Sequence, residues 1–162
     1  MQDLETKREN RLSMAGKIAD LIYEREYEKA ADLIRPKGAI SAGSDYLPKA
    51  IGCFMDDRGL SDRISIVPLV ESVIMGYYPK TIITDMKSLG FNVNEQALNW
   101  ASIGCNAYAR ALAADHCGVN YRIHGCPCCQ SKDGKVYPLE KAKIGRTLPP
   151  FSKDCNAWVS ME

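Results

Sequence analysis

The 162-residue chain has little of what marks several large functional classes. Its longest apolar stretches are broken by Lys, Asp or Pro, well short of the roughly 20 residues that cross a bilayer, so no membrane partner is expected. Residues Met1 to Arg11 alternate acids and bases without an apolar centre, and no secretory signal peptide is expected. A soluble protein made in a reducing compartment follows, where thiols stay free or bind metal rather than pair. Charge of one sign is also missing. Twenty-one Lys and Arg against 20 Asp and Glu leave +1, which argues against a grossly basic nucleic-acid binder. Histidine is scarce, with His116 and His124 alone, and neither is marked as a general base. No Gly-rich phosphate loop, Ser-His-Asp order or pair of catalytic carboxylates stands out, so the expectation is not an enzyme. What is present, 46% hydrophobic and 25% charged residues, suffices for a packed core of one domain or one plus a small appendage.

Apolar residues at Leu12, Ala15, Ile18, Ile22, Tyr27, Ala30 and Ile34 follow helical spacing, with a break expected near Glu26. Ser44 reads as the cap of a short helix through Tyr46 to Met55 that tolerates Pro48 in its first turn. Ile64, Val67, Val70 and Ile74 form another helical stripe from a cap at Ser61, and Pro68 is expected to divide an extended piece from the helix. The stripes of Tyr46, Ile51, Phe54 and Met55 and of Ile74, Tyr77 and Tyr78 are expected in the core. Thr81 to Leu89 reads as a short helix closed by Gly90, and Asn94 as the cap of a longer one from Glu95 to about Ala114. After Gly118 the texture changes. Val119 to Ile123 and Lys135 to Tyr137 read as strands around the Asp133-Gly134 turn, and Ala157 to Met161 as a third. The fold class expected is α+β: a mainly helical N-terminal part, then a small β-hairpin, Cys-containing knuckle module.

Cysteine is the one abundance. Of seven, four lie beyond Cys117. Cys126 and Cys129 form a Cys-x-x-Cys pair on a tight turn, which lets two thiolates converge on one tetrahedral metal, and Cys155 can supply a third. Zinc wants a fourth ligand, for which His124, Cys128 and Cys117 are candidates. The plainer alternative is a set of thiols packed in a turn-rich module. Thioredoxin-like chemistry needs the motif at the start of a helix, and Gly125 and Pro127 indicate a turn instead. From His116 onward seven Lys or Arg face four acids, a mildly basic tail.

The run Cys126-Pro-Cys-Cys129-Gln-Ser-Lys-Asp133-Gly134-Lys-Val-Tyr137-Pro138-Leu, then Leu148-Pro149-Pro150-Phe151 and Cys155, resembles the C-terminal module of phage Mu F-like minor head proteins. The helix with Asn106, Ala107, Tyr108 and Ala109 ahead of Gly118-Val119 is similar to the one that leads into that module. The resemblance covers about residues 95–162 and divides the chain into a helical region, 1–92, and a Mu F-like helix plus knuckle, 93–162. Two positions depart from the family pattern: Ser152-Lys153 stand where His-Pro is usual, and Ala157 where a second Cys is usual. The ligand set implied is therefore Cys126, Cys129 and Cys155 with His124 or Cys128. A metal-free knuckle stands beside it, held by the Asp133-Gly134 turn and by burial of Val136, Tyr137, Leu148, Phe151 and Trp158. The resemblance implies a non-catalytic minor head protein in the virion, at or near the portal, acting in head morphogenesis or DNA delivery. Its partners would be phage portal or capsid proteins, with non-specific DNA contact through the basic tail. The alternative expectation is an intracellular phage or prophage binding protein of the host cytoplasm, an interaction module for nucleic acid or a host protein with a zinc-knuckle-like tail.

Overall fold

The apolar stripes settle into six helices and a small sheet, described by a computed structural model for residues 4–34, 46–88, 90 and 93–162. Helices α1 (Leu4–Tyr23) and α2 (Tyr27–Ile34) are separated where Arg25 takes a left-handed φ of 61°. Its guanidinium grips both oxygens of Asp56 at 3.0 and 3.1 Å, so the break is tied to the end of α3 (Leu47–Asp57). The expected stripe is buried at Ala15, Ile18, Ile22 and Ala30. Pro48 lies in the first turn of α3, while the expected cap Ser44 lies outside the described residues. Ala50, Ile51, Phe54 and Met55 are buried, each large side chain contributing about 1.5 to 3 kcal/mol. Gly52 is required by packing: a Cβ there would run into the ring of Tyr27.

The expected extended piece before Pro68 does not form. Pro68 lies inside α4 (Arg63–Leu69), and the chain runs on into a π-helical turn, Val70–Ile74, closed by Met75 N–H donating to Val70 O at 3.0 Å. Proline removes one backbone donor and crowds the carbonyl four residues back, and α4 runs through it all the same. Tyr77 and Tyr78 leave the core, 38% and 82% exposed, because Gly76 at φ 74° turns the chain off the helical stripe. Helix α5 (Pro79–Ser88) buries Ile82 and Met86, and Gly90 beyond it has φ 89°.

Helix α6 (Glu95–His116) is the spine. Asn94 caps it, its Oδ1 accepting from Ala97 N–H at 2.7 Å, and Leu98, Cys105, Tyr108 and Leu112 are buried along one side. Gly104 makes room for Phe54, whose ring would be 2.8 Å from a Cβ. Past Gly118 come β1 (Tyr121–His124), β2 (Val136–Tyr137) and β3 (Trp158–Met161), antiparallel in the order β2-β1-β3. Tyr121, Ile123 and Val159 point into the same core that α1 to α6 build, so one apolar core runs through both parts of the chain. Trp158 was expected in the core, but it pairs with His124 on the opposite face of the sheet and is 50% exposed. Leu148 is buried, whereas Val136, Tyr137 and Phe151 are half-buried.

A single carboxylate joins the helices to the tail. Asp57, its side chain 3% exposed, accepts from Tyr108 Oη of α6 and from Ile144 N–H at 2.9 Å, and pairs with Lys143 Nζ at 3.2 Å. Burial, with the Asp57 carboxylate alongside, pushes the Tyr108 phenol well above its ordinary range, so it stays a donor at neutral pH. Removing the carboxylate strands buried donors from two elements. Asp57→Ala is expected to lower stability by about 3 kcal/mol, read as a fall in urea midpoint at unchanged slope; a change under 0.5 kcal/mol would refute the tie.

Candidate metal centre

Two tight turns bring the sulfurs together. In the first, Gly125 N–H donates to Asp133 Oδ1 at 2.9 Å and Pro127 opens a 3-10 turn, Pro127–Lys132. Cys129 N–H closes that turn on Cys126 O at 2.9 Å, and Cys126 N–H points back at Cys129 Sγ at 3.3 Å. Gly125 admits no side chain, since a Cβ would lie 2.8 Å from Cys129 O and 3.2 Å from Asp133 N. Asp133 thus acts as a turn former, and Gly134 N–H completes the return by donating to Ile123 O at 2.8 Å. In the second turn Cys155 N–H donates to Ser152 O at 3.2 Å, and Ala157 N–H points at Cys155 Sγ at 3.4 Å. Lys132 links the two, its Nζ on Arg146 O at 2.9 Å and 5.4 Å from the ring centre of Phe151, which packs against the cluster.

The ligand atoms of Cys126, Cys128, Cys129 and Cys155 all lie within 4.8 Å of one another. Cys155 Sγ is 3.9 Å from Cys126 Sγ and 3.8 Å from Cys129 Sγ. A tetrahedron with zinc–sulfur bonds of about 2.3 Å has edges of about 3.8 Å, so these two spacings are already those of a zinc site. Cys126 Sγ sits closer to Cys128 and Cys129, at 2.7 and 3.2 Å, so a tetrahedral ion would require that side to open. The geometry is compatible with coordination of a metal such as zinc.

Of the residues expected as ligands, Cys126, Cys129 and Cys155 come together, and Cys128 joins them. His124 lies elsewhere: its Nε2 is 2.7 Å from Ser160 Oγ, and its ring stacks on Trp158 at 3.9 Å. Cys117 stands exposed at the end of α6. The two departures from the family pattern border the cluster. Ala157 is buried against Cys129 and Cys155, and Ser152 Oγ lies 3.8 Å from Cys128 Sγ. An extra cysteine inside the knuckle was the available signal for Cys128.

Four sulfurs this close cannot all ionise without a cation between them. Burial pushes the Cys126 thiol up, but hydrogen bonds from the Cys128 thiol, the Asn156 backbone, the Cys129 thiol and the Cys128 backbone outweigh it and bring Cys126 down to about 6. Burial and the bond to Cys126 raise Cys129 to about 12, and the bond to Cys126 raises Cys128. The N–H groups that favour the Cys126 thiolate are the kind that orient and stabilise a metal-bound one. Cys105 and Cys53, in the helical core, are raised by burial and pack as small apolar side chains.

No family model matches the chain, and neither a curated protein nor a solved structure does.

The split between thiols is measurable in metal-free protein. Cys126, held below the ordinary 9, adds stability that is complete above pH 9 and is lost as pH falls through 6; Cys129, held above 9, adds stability present below pH 9 and lost as pH rises through 12. Iodoacetamide at pH 7 is expected to alkylate Cys126 first and leave Cys129 unmodified, as mapped by peptide mass spectrometry. Equal labelling of the two would contradict the assignment.

Proposed function

We propose that the chain is a non-catalytic binding module whose C-terminal part folds around a structural zinc ion held by Cys126, Cys128, Cys129 and Cys155. The convergence of these four sulfurs carries the reading. Four thiolates suit a soft-tolerant, tetrahedral ion, and zinc is the commonest ion of that kind with no redox chemistry of its own. Four protein ligands also fill the coordination shell and leave no place for a substrate or an activated water, which is the mark of a structural site. Such a site is an economical anchor for this tail, whose sheet contributes strands of only four, two and four residues. The role that fits is that of an intracellular phage or prophage interaction module in which metal and core together present a surface to a nucleic acid or a host protein.

The order of motifs in the tail supports a second reading, a minor head protein acting at or near the portal. Cys126, Cys129 and Cys155 stand in the family's order and share one cluster, and the Asp133-Gly134 turn supports the knuckle beneath them. The tail resemblance leaves the helical region outside it, and portal or capsid proteins are the partners this reading assigns.

Protein purified without chelator should carry one zinc per chain by mass spectrometry of the metal, and Cys129→Ser should lose it. With free zinc a thousandfold above Kd, metal binding adds about 4 kcal/mol, which for a chain of this length raises Tm on the order of 10 °C over the chelated protein. Zinc-free protein that melts unchanged in the mutant would overturn the metal reading. The portal reading is tested separately: the chain should co-purify with virions or procapsids, and absence from both would exclude it.

A further inference from the structure

The sheet has two unlike faces. Directly paired residues share a face, so the register His124 with Trp158 and Arg122 with Ser160 and Val136 places these five side chains together, opposite buried Tyr121, Ile123 and Val159. The one acid that the same alternation adds to this face is the exposed Glu162, at the far end from the rings, where its N–H donates to Asn120 O at 2.9 Å. Trp158 is half exposed, a large apolar ring left in water, and lies nearly parallel to the His124 imidazole, 11° off plane with centroids 3.9 Å apart. Arg110 of α6 adds a third flat group, its Cζ 5.4 Å from the indole centre and its Nη1 fixed on Val159 O at 3.1 Å. Among the described residues no ion pair commits Arg110 or Arg122 to a carboxylate, and both are exposed.

We propose that this face binds single-stranded nucleic acid with little base specificity. A base extends the stack begun by His124, Trp158 and Arg110, and the guanidinium groups of Arg110 and Arg122 take the phosphates. The inference rests on the binding-module reading and names its partner. Single strands fit better than duplex because only an unpaired base offers its π-face to such a stack, and ring stacking tolerates any base. A docked protein would want an apolar patch around the indole, whereas the groups that flank it are His124 and Arg110, and Val136 is the one aliphatic side chain among the paired residues of this face. The cysteine cluster bears on this face directly. His124 precedes Cys126 by two residues and Trp158 follows Cys155 by three, so an ion holding those two cysteines fixes the strand ends that carry the ring pair.

The test uses full-length protein of measured zinc content and a fluorescein-labelled 15-mer of thymidylate, read by anisotropy. Binding is expected to weaken with salt on a log–log slope near −1.4, as for about two phosphate contacts on a single strand. Trp158→Ala should weaken it about tenfold or more with zinc content and Tm unchanged, and Trp158→Phe should restore most of the loss. Arg122→Ala should flatten the salt slope by about 0.7. In a Trp100→Phe background the remaining indole fluorescence should be quenched by the strand. The proposal is overturned if folded protein ignores the strand, if Trp158→Ala binds as wild type, if a duplex binds at least as tightly, or if an acidic peptide of equal charge competes as well as thymidylate. Protein that comes zinc-free from chelator-free purification and still binds the strand would overturn the metal reading alone, and zinc-loaded protein that fails to bind would overturn the strand proposal alone.

Discussion

Four sulfur atoms within 4.8 Å of one another are the constraint around which the C-terminal part is arranged. As thiols they hydrogen-bond only weakly; as thiolates they repel. Both problems disappear when a divalent cation lies between them. The surrounding backbone is organised accordingly, with amide N–H groups of Cys126 and Ala157 aimed at sulfur rather than at carbonyl oxygen. Gly125 without a side chain, Asp133 as the acceptor that sets the turn, and Phe151 beside Lys132 all serve that approach.

The cluster does not stand alone. Helix α6 carries the helical core on one side and leads into the sheet at its C-terminus, and Asp57 fastens the loop at Ile144 to α3 and α6. A buried carboxylate that accepts from a phenol and an amide and faces an ammonium is costly to strip and specific in geometry, so it sets where the tail docks. The core supports the inner face of the sheet, and the outer face is left to other uses. Its stacked rings sit at the two strand ends that the cysteines would hold, with the Arg110 guanidinium of α6 beside the indole.

Much of the architecture was legible in the chain. Helical spacing located the apolar stripes because burial against a single core enforces a 3.6-residue period, and Asn94, Gly90 and Gly118 marked helix ends by their local chemistry. Pro68 misled, because the helix gives up only the one donor that proline lacks and continues past it. Tyr77 and Tyr78 misled as well, since a periodic pattern was extended past the glycine that ends it.

For the candidate site, the sequence by itself determined the Cys-x-x-Cys knuckle, the Asp133-Gly134 turn beneath it and the later Cys155, because short-range turns depend on residues a few positions apart. Only the tertiary structure decided that Cys128 completes the group while His124 turns to Ser160 and Trp158. The reason is strand parity. The pairing of β1 with β3 sends His124 to the outer face of the sheet, and which side chains share a face is a property of register between segments more than 30 residues apart.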